Sequence, residues 1–401
     1  MVYDMHLRLV GGKTLNFGPS PVEIQQAEDG LLDFRAVQET APRKNHGDLW
    51  HSRILPTLFP IVGYSSPEAI TMTIPFLIVC STLVAASPQG DALQFEPWTR
   101  VHTKSISSVD FGSDFNRPLR GDASFLVSGS QDGSAIIWDI VGKKVRHKLV
   151  HIADEPAARL IVNRVRVEPT GRRIAVAGSN GQVSVWDART GVRLKTLEGF
   201  TGRVSDVDWS GEGAKLAACD DDGKVIVWNT ETWSKVRELM GDPGDQVLSS
   251  LSLSPDGAVV AFASRGDKLY LRNVDTGAKI ATLTDIYEEP KAMRFSPDGR
   301  WIALAEAELL VLRSAVNGRS VRQLKGHAGT IRGIDWSRDS ERLFTGGDTG
   351  EVFEWNVRTS AVLARGKVNQ YVNDVALCFV GGVERLAIAK PSGFVEFQKS
   401  P

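Results

Sequence analysis

Residues that could do chemistry are few, and their spacing is poor. Gly12-Lys13-Thr14 ends like a phosphate-binding loop, but the glycine required six residues before Lys13 is Leu7, so the backbone cradle is missing. Neither HExxH nor GxSxG occurs, and the three cysteines, Cys80, Cys219 and Cys378, form no CxxC pair. His147 and His151 stand four apart beside Lys143, Lys144, Arg146 and Lys148. That group could hold a metal or a polyanion, yet Lys and Arg there also suit the solvated edge of an outer strand, where they block edge pairing. Asp220-Asp221-Asp222 could hold a cation, but Asp222 also opens an Asp-Gly turn. No catalytic constellation, metal or cofactor is expected from these residues. With 47 Lys+Arg against 48 Asp+Glu the chain is nearly neutral, which argues against nucleic acid as a partner. Its 42% apolar and 24% charged residues are those of a globular protein able to bury a large core.

The elements that could position a site come from repetition. The stretch Leu126 to Asp139 is echoed at Ile174 to Asp187, Leu216 to Asn229, Val260 to Asn273, Leu343 to Asn356 and Leu386 to Lys399, and with a shortened turn at Ile302 to Arg313. In this frame the residue where Trp138 stands recurs at 186, 228, 272, 313, 355 and 398, as Trp, Trp, Arg, Arg, Trp and Gln. Steps of 41 to 48 residues match the length of one four-stranded propeller blade. Each copy contains a short apolar strand, a turn such as Asp132-Gly133 or Asp222-Gly223, and a second strand running to the Trp position. Another apolar run precedes this hairpin and a further short strand follows it. The fold expected is all-β, with seven radial four-stranded sheets around a channel.

Trp138-Asp139, Trp186-Asp187, Gly326-His327 and the repeated Asp-Gly turns resemble the WD-repeat (transducin-β-like) propeller family over roughly residues 92–401. The resemblance implies a hydrogen-bonded structural tetrad in the first blade, made by His102, Ser128, Asp132 and Trp138. Elsewhere the tetrad is eroded. Phe200 replaces its His, Val176 and Ala218 replace its Ser, and the copy at Trp355 keeps His327 and Thr345 but has Thr349 for Asp. The copies ending at Arg272, Arg313 and Gln398 lack the set and are expected to rely on apolar packing. The last copy ends after its third strand, so Ala92 to Trp98 is the expected donor of the strand that closes the ring.

Residues 1–68 show no sustained period and read as a weakly structured extension. Residues 69–90 carry no charge. They read as a signal or membrane anchor, with Val84-Ala-Ala86 as a small-residue cleavage site, as a packed apolar strand, or as part of a segment outside the working protein. The first reading makes the propeller, residues 91–401, exported or membrane-anchored; a cytoplasmic location is the alternative. Contact with a membrane is expected only through residues 69–90 left uncleaved.

The family resemblance also implies that loops at one channel mouth bind partners. Carried over onto this sequence, those positions include Arg203, Asp221, Arg265, Lys291, Arg332, Asp348 and Tyr371, with Ser107, Asn163 and Ser249 beside them. Arg and aromatic residues dominate interface hot spots. The reading is a monomeric, non-catalytic scaffold for a protein or peptide. Its rivals are an exported propeller binding a peptide or glycan, and a propeller hydrolase, which would need a nucleophile and a base converging at the mouth.

Overall fold

A computed structural model describes four strands within residues 6–36, and residues 95–398 apart from 99, 113–122, 151–159, 243–246, 381 and 394. The apolar segment 69–90, Cys80 and His151 lie outside the described residues. In the unit Met1–Cys80, His6–Leu9 pairs with Lys13–Asn16 and Val22–Gln26 with Leu32–Ala36, both antiparallel. Gly11-Gly12 and Asp29-Gly30, dipeptides that favour chain reversal, fall between the paired strands.

In the unit Ser81–Pro401 the described residues form seven four-stranded antiparallel sheets. The first four span Ile106–Val150, Val162–Leu197, Val204–Met240 and Leu248–Leu283, and the fifth and sixth span Ala292–Leu324 and Ile331–Lys367. Each of these six is a blade of a β-propeller and uses four consecutive strands. In the remaining sheet Asp374–Val380, Val383–Ala389 and Val395–Gln398 are followed by Phe95–Pro97, with Phe397 opposite Glu96. No helix occurs among the described residues, and none there is long and apolar enough to cross a membrane.

Burial explains the sequence of each strand. The second strand of a sheet is covered on both faces by neighbouring sheets, so Phe125–Ser130 is buried throughout and reads as a continuous apolar and small-residue run. In the inner strand, as in Val204–Trp209, half-buried Ser205 and Asp208 interrupt an otherwise buried run. The outer strand is exposed and polar, as in Lys144–Val150, where Lys144 and Lys148 face solvent. Between the second and third strands the chain must visit positive φ, which Gly133 (83°), Gly181 (76°) and Gly223 (88°) adopt at no steric cost. In the fourth and fifth sheets Asp267 (53°) and Ala307 (52°) take that conformation instead.

Seven apolar clusters fill the wedges between successive sheets. One joins Ala376, Cys378 and Ala387 to Ile106, Val109 and Trp138, at the two ends of the repeat array. Cys219 and Cys378 are buried, and burial with neighbouring Asp206 and Asp220 pushes the Cys219 thiol well up.

Candidate partner-binding face

The structure brings the four expected tetrad residues together. His102 Nε2 lies 2.7 Å from Ser128 Oγ, and the Trp138 indole N–H donates to the same oxygen at 2.7 Å. His102 Nδ1 lies 3.2 Å from Asp132, whose carboxylate also accepts the Thr103 N–H. Burial alone would raise the Asp132 pKa; hydrogen bonds from His102, Ser134 and Thr103 reverse that and hold it well below the usual carboxylate range. The chain leading into the first inner strand is thereby fixed to the turn at Asp132-Gly133.

Blades that lack the tetrad do not rely on apolar packing alone, as the sequence pattern led one to expect. Arg313, in the Trp position and 99% buried, donates to both Asp285 carboxylate oxygens at 3.1 and 3.3 Å and to Glu306 at 3.1 Å. The second Glu306 oxygen accepts the Tyr287 N–H. A buried arginine held by two acids therefore takes the place of the His–Ser–Asp–Trp set, one acid on a loop and the other on the second strand of the same sheet. Arg272 lies over the Tyr270 ring at 5.1 Å and donates to the Ala281 carbonyl. Phe200, which replaces a tetrad His, packs edge-on against Trp228 at 5.9 Å.

The channel wall is built from three successive positions of the inner strands. At the deepest, Asp110, Arg166, Asp208, Ser252, Arg294 and Asp335 follow one another around the ring. Burial raises the Asp110, Asp208 and Asp335 carboxyls, against the pull of Arg166 and Arg294. These groups line a cavity of about 270 Å³ at the mouth away from the Asp-Gly turns. One level up, Arg164 bridges Asp206 at 2.9 Å and Asp374 at 3.1 Å. Asp206, Asp208 and Asp374 each accept a Ser hydroxyl and a backbone N–H from the next sheet: Ser250 with Leu251, Ser252 with Leu253, and Ser108 with Val109. Each of these carboxylates holds two sheets together, and so clamps neighbouring inner strands to one another. The signal was in the sequence: an Asp, Arg or Ser stands one residue before Phe111, Val167, Trp209, Leu253, Phe295 and Trp336.

At the other mouth, the first polar residue of the inner strand is spent on the neighbouring sheet. Ser107, Asn163, Ser249 and Asn373 donate to the carbonyls of Val162, Val204, Pro290 and Ile106. The corresponding Arg332 instead reaches outward. It pairs with Asp348 and lies 5.7 Å from the centre of the Tyr371 ring, which is 44% exposed. Arg203 pairs with Asp221 at 3.6 Å. Arg265 and Lys291 both bind Glu289, at 3.1 and 2.7 Å. The seven positions thus fall into three charge-paired groups: Arg203–Asp221, Arg265–Glu289–Lys291 and Arg332–Asp348–Tyr371. Glu289, which the family resemblance also places among the loop positions three residues before the fifth inner strand, is the acid that joins Arg265 to Lys291. Asp220, rather than Asp222, closes the third turn, accepting the Asp222 and Lys224 N–H groups. On the rim, His147 binds the Arg189 carbonyl at 2.8 Å.

Comparison with known proteins agrees with this architecture. The WD domain, G-beta repeat family matches residues 98–139, 150–187, 191–229 and 318–356. The chain is 31% identical over 115 residues to echinoderm microtubule-associated protein-like 2 of Rattus norvegicus, covering 27% of this chain and 18% of that protein. It is 30% identical over 115 residues to the 77 kDa echinoderm microtubule-associated protein of Strongylocentrotus purpuratus, 27% of this chain and 17% of that one. A WD repeat-containing protein of Schistosoma mansoni, SL1-17, is 24% identical over 259 residues, 65% of this chain and 69% of the relative. The chain thus spans about a fifth of the length of the microtubule-associated relatives. Four matched repeats, radial four-stranded sheets and the His–Ser–Asp–Trp tetrad together support a WD-repeat β-propeller.

Proposed function

We propose that this propeller is a non-catalytic scaffold that binds a protein or peptide on the loop face carrying Arg203, Asp221, Arg265, Lys291, Arg332, Asp348 and Tyr371. The ring would have seven blades, occupy residues 91–401 and be closed by the pairing of Phe95–Pro97 with Val395–Gln398. The observation that carries the reading is the contrast at one mouth. Ser107, Asn163, Ser249 and Asn373 are consumed in stitching the sheets together, while the Arg, Lys and Tyr side chains beside them stand in solvent on a rigid base.

The test is capture of partners from native lysate by the parent, by Arg203→Glu with Arg332→Glu, and by the rim control Lys144→Glu with Lys148→Glu. Loss of capture by the first pair alone, with melting temperature unchanged, supports the face; loss in the rim variant alone moves the interface to the outer edge. A second reading, a cytoskeletal filament as the partner, is favoured by the names of two relatives, both microtubule-associated. Co-sedimentation with polymerised tubulin decides it.

A further inference from the structure

Charges on the loop face that have no ion-pair partner segregate by sign. Among the described residues, Asp267, Glu288 and Glu308, on the turns and loops of the fourth and fifth sheets, pair with no cation. On the loops of the sixth and first sheets the unpaired groups are Lys325, Lys367 and Lys104, all exposed. The acids on that side are engaged. Asp348 holds Arg332, Glu351 accepts Ala328 N–H and Thr349 and stands opposite Lys367 across the strand pair without a direct ion pair, and Asp132 is bound to His102, Thr103 and Ser134.

The basic groups also lie along one strip. Lys367, Asn369, Gln370, Tyr371 and Pro391 line a groove of about 470 Å³, with Asp348, already paired with Arg332, and Thr349 in its wall. Lys390 donates to Asn369 at 3.0 Å in its wall. The turn at Pro391–Gly393 then meets the first loop, where a Cβ on Gly393 would lie 3.4 Å from Arg100 Nε and 3.1 Å from the Lys104 carbonyl. Arg332 stacked on Tyr371 ends the strip on one side, and Arg100 and Lys104 end it on the other.

We infer that this strip, running from Arg332 and Tyr371 over Pro391 to Lys104, is the docking site for an acidic, extended segment of a partner protein. Excess unpaired lysine attracts carboxylates and speeds their encounter, and the exposed Tyr371 ring beside Pro391 offers an apolar contact to fix register. On the fourth and fifth sheets Asp267, Glu288 and Glu308 outweigh the one surplus cation of the Arg265–Glu289–Lys291 group, which disfavours the same segment there. The inference rests on the loop face as the binding face and names the chemistry of what binds there.

The probe is a labelled peptide of about twelve residues containing Glu and Ser with one central Phe, set against its counterpart with Lys for every Glu. Binding is followed by anisotropy. The Glu peptide should bind the parent, weaken as salt rises from about 50 to about 200 mM, and bind at least about tenfold more weakly to Lys104→Glu with Lys367→Glu. Glu288→Lys with Glu308→Lys should bind it as well as the parent or better. Tighter binding of the Lys peptide, equal binding by the two charge-reversed variants, or no binding of either peptide overturns the strip. If Lys104→Glu with Lys367→Glu keeps its partner from lysate while Arg203→Glu with Arg332→Glu loses it, the strip falls and the binding face stands. If both pairs keep the partner, the face falls as well.

Discussion

Ser108 and Asp374 are 266 positions apart in the chain, yet the Ser108 hydroxyl donates to the Asp374 carboxylate at 2.8 Å. The same oxygen accepts the Val109 N–H at 3.2 Å and an Arg164 N–H at 3.1 Å. One buried carboxylate therefore ties the inner strands of the last, first and second sheets. Burial would raise its pKa, but Arg164, Arg166 and Arg294 lower it, so it is held as the anion that all three strands require.

Replacing Asp374 by Ala leaves Arg164 and Arg166 without one of their buried anions. It should destabilise the propeller by about 3–5 kcal/mol, whereas Ser108→Ala should cost only about 1 kcal/mol. Chemical denaturation of both variants checks the ranking. Equal, small losses would mean that the clamp is incidental to ring stability.

Arg313 offers a different contrast. Arg313→Ala strands the Glu306 carboxylate in a site where it is 97% buried, and should cost about 3–5 kcal/mol. Replacing the buried pair together, Arg313→Met with Glu306→Leu, should recover most of that loss, because neither buried charge remains. Denaturation midpoints of the single and double variants decide between an ionic network and simple filling of space.

Much of this was legible in the sequence because period and turn chemistry are local. The frame set by Trp138, Trp186, Trp228 and Trp355 located every hairpin from Phe125 to Asn356, and the tetrad partners of Trp138 lie at fixed offsets from it. The ionic replacement at Arg313 was not legible. Asp285 belongs to a loop of irregular length, and the Glu306 position is Ser130 in the first copy and Asp220 in the third, so an acid there does not by itself announce an arginine partner. Pairing of charges across loops, as in Arg265–Glu289, depends on which loops a ring brings together, and that is a property of the closed architecture.

Ring closure predicts a sharp boundary at the N-terminal side. Removing residues 1–86 should leave a cooperative monomer, while removing 1–100 takes away the strand paired with Val395–Gln398 and buried Trp98, which packs on Trp138 at 6.0 Å. The longer deletion should lower the melting temperature and promote association through the opened sheet edge. Light scattering and thermal melts of the two truncated chains read both effects, and a cooperative, monomeric 101–401 fragment would remove Phe95–Pro97 from any part in closure.

His327 carries the last prediction. Its Nε2 lies 2.7 Å from Thr345 Oγ1, but its buried Nδ1 has no partner, because Thr349 stands where Asp132 stands in the first blade and bonds Glu351 instead. Burial lowers the His327 pKa to about 4, against the opposing pull of Glu351. The unfolded chain, with a pKa near 6.5, takes up the proton first. Stability from this group is therefore complete above about pH 6.5 and is lost as pH falls toward 4, by up to roughly 3 kcal/mol. Thr349→Asp supplies Nδ1 with an anionic acceptor and raises the folded-state pKa, so stability should fall less steeply between pH 6.5 and 4 than in the parent. Urea midpoints at pH 7, 6, 5 and 4 measure the difference. Parallel curves for parent and variant would show that the orphaned imidazole nitrogen does not set the acid sensitivity of this blade.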